Sequence, residues 1–485
     1  MREKRLEAYA LYESLPMPHT TKDDVWRRTV DMRTQDYWRR TRRHLSGFAL
    51  EKYHPNAPTN GKPSAEALDY NDEETAGVLV QVDGQLQYAS TTETLKKKGI
   101  YFADLHTALH EQPELLRTYF MSKAVTLETT LKSGNIAQYN KFDALHGAFW
   151  QGGYVLHVPK GVRVEEPLQV YIKMSEAEHA DLSHTLIIAE EGSQVVILED
   201  NSSTNPDAGG LHSGAVEIFA EQNANVTYAQ IQQWNRQVWN IASHRAMVGR
   251  DAQLCWVTAS FGGRMSKINQ AVVLEGAGCN AQMLGLAFTD ARQHLDVSTA
   301  QEHISPHTTS DLLYRTVLKD RSQTAWGGNI YVYPSANHTD AYQKNDNLLL
   351  SERAHADTLP GLEIQAHEEQ LTMSQPRIIA YMKPVCGWSN GVRAIFAKYD
   401  LEYEDRDIIN NENNYREMVQ KTRQSYQPCV QIDDIVLADV SGDEVEEYLI
   451  SEGIVQTSEA ETDVPTDQAC EDHGPSAVNI GFPST

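Results

Sequence analysis

One pattern, repeated along the middle of the chain, constrains the fold more than any other feature. Segments that open with small or polar residues and run into a short alternating strand begin at residues 192, 223, 251 and 278, and read GSQVVILED, NANVTYAQI, DAQLCWVTA and GCNAQMLGL. Their starts lie 31, 28 and 27 residues apart. Strands at that interval leave no room for helices between them, so the repeat predicts a β-solenoid over about residues 147–366.

The pattern continues at closer spacing towards the end of this region, in SQTAWGGNI from residue 322 and NHTDAYQKN from residue 337. The alternative all-β architecture is a β-sandwich, which needs hairpin turns such as Asn-Gly at regular places. Such turns are scarce here, which favours the solenoid.

The N-terminal region has a different sequence pattern, which predicts helices up to about residue 125. EKRLEAYALYESL carries apolar residues close to helical spacing and ends at Pro16 and Pro18. The basic and aromatic stretch at residues 26–45, WRRTVDMRTQDYWRRTRRHL, could suggest RNA. A solvated helix with its tryptophans in the core is the favoured interpretation, because the chain as a whole is acidic.

Charge and composition narrow the class of partner and the compartment. The chain of 485 residues has a net charge of −25, which argues against a nucleic-acid backbone or an anionic membrane as the main partner. No apolar run approaches the roughly 18–20 residues that span a bilayer, and the N-terminus has no apolar secretory core. The 5 cysteines are scattered and odd in number, so we predict a cytoplasmic protein with reduced thiols.

A compact α/β unit is predicted at residues 377–455, after a polar linker at 367–376. Its order of elements is β-α-β-α-β-β-α, and Ser441-x-x-Glu444 forms a capping box that opens the last helix. This order is typical of a thioredoxin-like fold. The acidic tail at 456–485 is expected to be disordered, and its Cys470-x-x-His473 pair is a weak candidate for a metal site.

A single cysteine stands at the first strand-to-helix turn of this unit. Cys386 is placed at a helix N-terminus, where unpaired backbone N–H groups and the helix dipole stabilise a thiolate, and Lys383 adds a positive charge. Ser389 occupies the position of the second thiol of a redox motif. Without that thiol, Cys386 cannot resolve a mixed disulfide within its own motif, so metal ligation is favoured over thiol–disulfide exchange.

The segment KPVCGWSNGVRAIF, residues 383–396, resembles the active-site segment of monothiol glutaredoxins, whose motif is Cys-Gly-Phe-Ser; Trp388 replaces the Phe. The resemblance covers about 75 residues and includes SYQPCVQIDD, which implies a cis-proline facing the cysteine. It further implies that the cysteine and a bound glutathione thiol ligate a [2Fe-2S] cluster shared by two protomers. The residues that would carry these roles are Cys386 as the ligand and Lys383, Gln427, Pro428, Val440 and Ser441 around glutathione.

Two departures from the glutaredoxin pattern bear on these roles. Ala438-Asp439 replaces a Gly-Gly pair and Ser441 replaces an acidic residue, which weakens the case for glutathione binding. Cys429 follows the proline directly. Either it forms a disulfide or shares a metal with Cys386, or it is buried in its strand, which is the favoured alternative.

The solenoid region resembles the SufB/SufD family over about residues 1–366. The matching segments are YESLPMPHTTKDDVWRRTVDMR, GGYVLHVPKGVRVEEPLQVYI, SHTLIIAEEGSQVVILEDNSS, HTTSDLLYRTVLKDRS and HTDAYQKNDNLLLSERAHADTLPGLEI. The resemblance implies a mainly β fold: a right-handed parallel β-helix at 126–366 behind an N-terminal helical region at 1–125. It also implies a scaffold for iron–sulfur cluster assembly that works with the SufC ATPase. Without the ligand-rich insert of SufB, the chain is more similar to SufD.

The resemblance also sets the expected partners. The end of the β-helix is expected to pair with a SufB-like subunit or with a second copy of the chain. The glutaredoxin-like unit stands where the family has a C-terminal helical region that docks the ATPase, which puts contact with a SufC-like ATPase in doubt.

Several other residues of the solenoid are candidates for chemistry. His294, His303 and His307 could suggest a metal, but they lack the ligand spacing of a known site, and we interpret them as turn or ladder positions bonded to backbone. Cys255 and Cys279 alternate with apolar neighbours and are expected in the core.

Three functions remain open from the sequence. The first is an iron–sulfur cluster assembly or carrier protein, which is the main hypothesis because both halves of the chain point to the same pathway. The second is a glutathione-dependent thiol–disulfide oxidoreductase tethered to a docking platform, and the third is a purely structural partner. Whether the chain is an enzyme is left undecided.

Overall fold

The computed structural model describes residues 2–15, 17, 45, 47–55, 75–125, 140–366, 377–433, 435–452, 454–455, 458, 460, 462 and 464–467. The chain divides into two compact units, Met1–Leu371 and Thr372–Thr485. The linker at 367–376, the basic aromatic stretch before residue 45, and Cys470 with His473 lie outside the described residues.

The N-terminal part of the first unit mixes helices with three strands. In chain order these are α1 (Arg2–Ser14), β1 (Gly77–Val82), β2 (Gln85–Thr91), α2 (Glu93–Lys97), β3 (Tyr101–Asp104), α3 (Leu105–Glu111), α4 (Pro113–Tyr119) and α5 (Asn140–Phe149). Within the region 1–125 that was expected to be helical, residues 77–91 and 101–104 therefore contain the strands β1, β2 and β3 instead, while Glu93–Lys97 is helical. The residues of β1, GVLVQV, are all buried, and the strand pairs in parallel with β5 of the solenoid. Burial within a sheet therefore decides the structure of this segment, although its neighbours in the sequence have a helical pattern.

Strands make up the rest of the first unit, with no helix among the described residues 150–366. They are β4 (Gly153–Val158), β5 (Leu168–Met174), β6 (His179–Asp181), β7 (His184–Ala189), β8 (Gln194–Ser203), β9 (Gly210–His212), β10 (Ala215–Ala220), β11 (Asn225–Gln233), β12 (Trp239–Val248), β13 (Gln253–Ser260), β14 (Met265–Leu274), β15 (Asn280–Thr289), β16 (His294–His303), β17 (Thr309–Leu318), β18 (Gln323–Val332), β19 (Asp340–Leu349) and β20 (His355–Ile364).

These strands form a solenoid of about 8 turns with two long sheets. One sheet has the order β19-β17-β15-β13-β11-β8-β5-β1-β2, and the other β20-β18-β16-β14-β12-β10-β7-β4-β3. Neighbours from β4 to β20 pair in parallel, while β2 and β3 join antiparallel at the N-terminal end. The predicted β-solenoid is confirmed.

The register of one sheet explains the interval of the sequence repeat. Gln194, Asn225, Gln253 and Asn280, the first residues of β8, β11, β13 and β15, are successive partners. The repeat is thus one turn of the solenoid. The later segments appear closer together because SQTAWGGNI forms β18 in the second sheet, whereas NHTDAYQKN leads into β19 in the first.

Buried and more exposed residues alternate along the strands of the first sheet, and the buried ones form the core. In β13, Leu254 and Trp256 are buried while Gln253 is exposed, because successive side chains point to opposite faces of a strand. Trp256 packs edge-on against Tyr228 of the neighbouring strand, with 5.6 Å between ring centroids. The same inward positions on successive turns form one continuous apolar column.

The second unit has the element order expected of a thioredoxin-like fold. Its elements are β21 (Ile378–Met382), α6 (Gly387–Lys398), β22 (Tyr403–Asp407), α7 (Glu412–Thr422), β23 (Cys429–Ile432), β24 (Ile435–Ala438) and α8 (Gly442–Ser451). The sheet order is β22-β21-β23-β24, with β21 parallel to β22 and antiparallel to β23. Val392, Ile395 and Phe396 on one face of α6 pack into its core, as their helical spacing predicts.

Candidate functional site

Cys386 lies where the sequence places it, at the N-cap of α6 directly after the first strand of the unit. Its backbone is extended, with φ −161° and ψ 134°, and its C=O accepts the N–H of Asn390 at 2.9 Å. Cys386 is 5% exposed, whereas the side chain of the preceding Val385 is 90% exposed. A thiol at this position faces the positive end of the helix dipole, which stabilises its ionised form.

Ser389, which occupies the position of a second thiol, connects the turn at Lys383 with Gln427 on the opposite side of the site. Its buried hydroxyl accepts the backbone N–H of Lys383 at 3.2 Å and donates to the Gln427 Oε1 atom at 3.1 Å. The Gln427 amide in turn points its Nε2 at the Cys386 sulfur, 3.6 Å away. The serine thus holds Gln427 against the cysteine.

The turn that carries Lys383 has a second anchor, which the sequence analysis missed. Arg393 of α6 donates to the Lys383 carbonyl oxygen at 3.1 Å and to the Asp405 carboxylate of β22 at 2.9 Å. Arg393 lies about one helical turn beyond Ser389, and its partner is 12 residues further along, so no local pattern identifies the pair. Lys383 itself is half-buried.

The other predicted contacts come from the strand and helix that face Cys386. The Gln427–Pro428 peptide bond is cis, as the resemblance implied, and the Pro428 carbonyl accepts the N–H of Val440 at 3.0 Å. Ser441 is the N-cap of α8 in a complete capping box with Glu444. Cys386, Gln427, Pro428, Val440 and Ser441 therefore belong to connected parts of one small unit.

The N-terminus of α8 already has a partner from the same chain. The Gly442 N–H donates to the carbonyl oxygen of Thr466 at 2.8 Å. Within the tail, residues 464–467 thus contact this unit through the Thr466 backbone, a contact that does not depend on side-chain type.

Cys429 is enclosed in the core of the unit. It is 0% exposed, its thiol donates to the Tyr426 carbonyl oxygen at 3.2 Å, and burial raises its pKa. It is also a free cysteine. The alternative of a Cys386–Cys429 disulfide is wrong, and the favoured interpretation, a cysteine buried in its strand, is confirmed.

Cys386 differs from the other described cysteines in its covalent state. It is disulfide-bonded, whereas Cys255, Cys279 and Cys429 are free. A disulfide removes the thiolate, so the structure shows the oxidised form of the site.

The histidines of the solenoid have structural partners. His303 is buried between the hydroxyls of Thr308 and Ser310, each 2.8 Å from a ring nitrogen, and burial lowers its pKa to about 4. Its partners are side chains, not the expected backbone groups. His307 adopts a left-handed turn conformation and stacks on His338 of the next turn, with 4.9 Å between ring centroids. His294 begins β16 in the ladder. Within the described ranges no group of three or more His, Cys, Asp or Glu side chains could hold a metal ion.

The two solenoid cysteines have different environments. Cys279 is buried, and burial raises its pKa to about 12. Cys255, expected in the core, is half-buried instead, because Leu254 and Trp256 on either side of it point inward and direct it to the outer face of the sheet.

A buried polar chain near the start of the solenoid escaped the sequence analysis. The ring of His146 on α5 lies 2.8 Å from the Ser213 carbonyl oxygen and 2.9 Å from the ring of His184. The other nitrogen of His184 is 2.9 Å from the Glu217 carboxyl group, which accepts the N–H of Met121 and of Val125. The chain ties the N-terminal segment and α5 to β7 and β10.

Together these features define a class: a parallel β-solenoid scaffold joined to a thioredoxin-fold unit with one thiol at a helix N-terminus. Residues 72–170 match the SufBD protein N-terminal region, residues 171–372 match the SUF system FeS cluster assembly SufBD core domain, and residues 378–437 match glutaredoxin. The chain belongs to the SufBD family and carries a glutaredoxin domain after the SufBD core.

Curated relatives agree with this assignment. An iron–sulfur cluster assembly SufBD family protein of Staphylococcus epidermidis is 29% identical over 367 residues, which is 75% of each chain. A protein of the same description from Staphylococcus saprophyticus is 30% identical over 289 residues, or 60% of each chain. One from Staphylococcus haemolyticus is 28% identical over 369 residues, again 75% of each. No helix in the described part of the chain is long and apolar enough to cross a membrane.

Proposed function

We propose that this protein acts in cytoplasmic iron–sulfur cluster assembly, as a SufD-like docking scaffold whose glutaredoxin domain carries a [2Fe-2S] cluster together with glutathione. The observation that supports this most is the placement of the described cysteines in the second unit. Cys386 stands at a helix N-terminus beside a strand carrying a cis-proline, Ser389 fills the second thiol position, and Cys429 is enclosed.

The number of sulfur ligands that a [2Fe-2S] cluster needs then implies which further molecules must contribute. A [2Fe-2S] cluster of the all-thiolate type needs four sulfur ligands from outside the cluster. Among the described cysteines of the second unit, only Cys386 can serve as a ligand, since Cys429 is fully enclosed and burial raises its pKa. Two chains and two glutathione molecules complete the set.

Glutathione would lie across the surface between Lys383 and the start of α8. The Lys383 ammonium suits the glycyl carboxylate, Gln427 and Pro428 suit the peptide backbone, and the positive end of the α8 dipole at Val440 and Ser441 suits the γ-glutamyl carboxylate. When bound, the cluster is the cargo of the protein, and the role of these residues is to hold it for transfer.

The test is anaerobic reconstitution of the full chain with iron, sulfide and glutathione, followed by iron and sulfide analysis and a visible spectrum. Cys386→Ala should abolish the cluster absorption. Ser389→Ala should leave most of it, because the serine contacts Gln427 and not the metal. Cys429→Ala is the matched control and should retain the cluster.

The rival function predicts the opposite result. A glutathione-dependent oxidoreductase would bind no iron and would reduce a glutathione mixed disulfide rapidly. That outcome with the wild-type chain would refute the carrier function.

The second part of the proposal concerns the last turn of the solenoid. β19 and β20 stand at the ends of their sheets, and each pairs with a single described strand. Large apolar side chains on and just after these strands are exposed, namely Tyr342, Leu348, Leu349, Leu350, Leu359, Leu362 and Ile364. Unpaired strand edges with apolar side chains favour pairing with another chain, so we assign the SufB-like subunit or a second copy to this end.

The docking proposal is tested by placing a charge at this end. Leu362, 53% exposed, is changed to Arg, and Leu86 on β2 at the opposite end of the first sheet, 41% exposed, serves as the control. Leu362→Arg should abolish the dimer or the complex with a SufB-like protein in size-exclusion chromatography, and Leu86→Arg should not. A wild-type chain that stays monomeric and does not bind a SufB-like protein would contradict this assignment.

A further inference from the structure

A short chain of hydrogen bonds ends at the sulfur of Cys386. The backbone N–H of Lys383 donates to the hydroxyl of Ser389 at 3.2 Å, this hydroxyl donates to Oε1 of Gln427 at 3.1 Å, and Nε2 of Gln427 lies 3.6 Å from the Cys386 sulfur. Ser389 is fully enclosed, whereas Gln427 is half-buried. The Gln427 side chain is thus held between a buried hydroxyl and the sulfur.

The chemistry of the partners decides which end of the Gln427 amide faces the sulfur. Cys386 is disulfide-bonded, and a disulfide sulfur carries no hydrogen, so it can only accept. At the other end of the amide, the Lys383 N–H occupies a lone pair of the Ser389 hydroxyl, whose one hydrogen points to Gln427 Oε1. The N–H side of the amide therefore faces the sulfur while the disulfide is intact, before any charge develops there.

Both supports of the Gln427 amide are themselves held in place. On the side of the turn, Arg393 donates to the Lys383 carbonyl oxygen at 3.1 Å. On the other side, the Gln424 amide donates to the carbonyl oxygen of Tyr426, the residue before Gln427, at 3.1 Å and accepts the N–H of the same residue. A donor that is already oriented stabilises a developing charge more than a mobile one, because it needs no reorganisation during the reaction.

The position of this donor bears on the exchange reactions of the Cys386 disulfide. The rate of thiol–disulfide exchange depends on how readily the departing sulfur takes up negative charge and on which of the two sulfurs is attacked. A hydrogen bond to the charged form of a group stabilises that form. An N–H group fixed at the Cys386 sulfur therefore favours reactions in which Cys386 departs as the thiolate.

We propose that Gln427 is the hydrogen-bond donor that makes Cys386 the leaving sulfur in exchange with glutathione, and that Ser389 is its positioning residue. In a mixed disulfide of Cys386 with glutathione, a second glutathione thiolate attacks the glutathione sulfur. A bond forms between the two glutathione sulfurs, the bond to Cys386 breaks, and its electron pair leaves with the Cys386 sulfur, which faces the Gln427 N–H. The product is the thiolate, the form that ligates metals.

The test measures which sulfur of the mixed disulfide is attacked. The full chain is converted to the Cys386–glutathione adduct with oxidised glutathione, the remaining thiols are blocked, and isotopically labelled glutathione is added. Attack on the glutathione sulfur gives free Cys386, whereas attack on the Cys386 sulfur brings the label into the adduct. Mass spectrometry of the tryptic peptide 378–393, which contains Cys386 and no other cysteine, gives the ratio of the two initial products.

Variants of Gln427 test the donor. Gln427→Leu should lower the ratio of freed to labelled Cys386 about three- to tenfold, as expected for one hydrogen bond to a charged group that is partly formed in the transition state. Gln427→Glu keeps the shape of the side chain but presents a carboxylate, and should lower the ratio at least as much. A general structural defect would slow both attacks together and would not shift the ratio.

A matched control comes from the adjoining strand β23. Gln431 is also half-buried, and its amide contacts the Lys421 ammonium and the Asp433 carbonyl oxygen instead of a sulfur. Gln431→Leu should therefore give the wild-type ratio. A wild-type ratio in both Gln427→Leu and Gln427→Glu overturns the donor role.

A double-mutant cycle tests the positioning role of Ser389. Ser389→Ala leaves the Gln427 amide in place but lets it rotate, and should lower the ratio about two- to threefold. In a chain that already carries Gln427→Leu, Ser389→Ala should have no further effect, because the serine acts through the amide. Equal effects of Ser389→Ala with and without Gln427→Leu overturn the positioning role.

The inference goes beyond the proposed cluster and fails or stands independently of it. If the ratio does not respond to the Gln427 variants while the reconstituted chain binds iron, the inference fails and the proposed function stands. If the ratio responds as expected while the chain binds no iron, the carrier function fails and the role of Gln427 stands.

Discussion

The buried chain from His146 to Glu217 allows a prediction about stability and pH. The Ser213 carbonyl can only accept, so the His146 nitrogen facing it carries a hydrogen. In neutral rings the other His146 nitrogen then accepts from His184, and the remaining His184 nitrogen accepts from Glu217. The carboxyl group must therefore keep a proton. The pKa directions agree: burial lowers those of His146 and His184 to about 3 and raises that of Glu217 to about 8.

The raised pKa of Glu217 determines whether the free energy of unfolding rises or falls with pH. The folded chain holds a proton that the unfolded chain releases above its ordinary value of 4.5, so the stabilisation is complete below pH 4.5 and is lost as the pH rises through 8. The two histidines act in the opposite direction, but mainly below pH 6.5. Between pH 6.5 and 8, one unit being 1.36 kcal/mol, the Glu217 contribution falls by about 1.5–2 kcal/mol.

Glu217→Gln removes this titration and keeps the shape of the side chain. Its amide donates to His184 and loses the bond from the Met121 N–H, which costs about 1–3 kcal/mol at every pH. The measurement is urea unfolding followed by tryptophan fluorescence at pH 6.5 and 8; of the 8 tryptophans, only Trp388 lies outside the first unit. The wild type should lose about 1.5–2 kcal/mol more than the variant over this interval. Equal losses would refute the retained proton.

Two further predictions concern the two units separately. Lys267 and Asp296 form a fully buried ion pair at 2.9 Å, so Lys267→Met should lower the free energy of unfolding of the first unit by about 3–5 kcal/mol, measured by the same urea titration; a loss below about 1 kcal/mol would contradict it. Ser441→Ala removes the capping box of α8 and should destabilise the second unit by about 0.5–2 kcal/mol, seen as earlier hydrogen exchange in residues 442–451 with the first unit unchanged.

The sequence predicted one sheet of the solenoid well because that sheet faces solvent on one side. In β8, β11, β13 and β15, buried and exposed residues alternate, and the starts of these strands repeat at the turn interval. Strands of the second sheet such as β7 and β10 are buried at every residue. Strands buried on both faces carry no alternation, so of that sheet only SQTAWGGNI in β18 was recognised as part of the repeat.

The site could be predicted only as far as its local motif reaches. Cys386 at a helix N-terminus, the cis bond before Pro428 and the capping box at Ser441 follow from a few neighbouring residues. The Arg393–Asp405 anchor and the buried histidine chain depend on tertiary contacts, and residues 464–467 contact α8 through the Thr466 backbone. A backbone contact leaves no signature in the side chains of an acidic tail.

The single sulfur of Cys386 links the proposed cluster to the disulfide that this residue forms in the structure. One sulfur cannot both ligate iron as a thiolate and form a disulfide, so the cluster and a disulfide at Cys386 exclude each other. The balance between them depends on the glutathione couple, for which a change of about 30 mV corresponds to tenfold in the equilibrium of a two-electron exchange. Ser389 keeps a second thiol out of the motif itself. The choice at Cys386 therefore lies between reduction by glutathione, which favours the cluster, and oxidation to a disulfide, which withholds the sulfur.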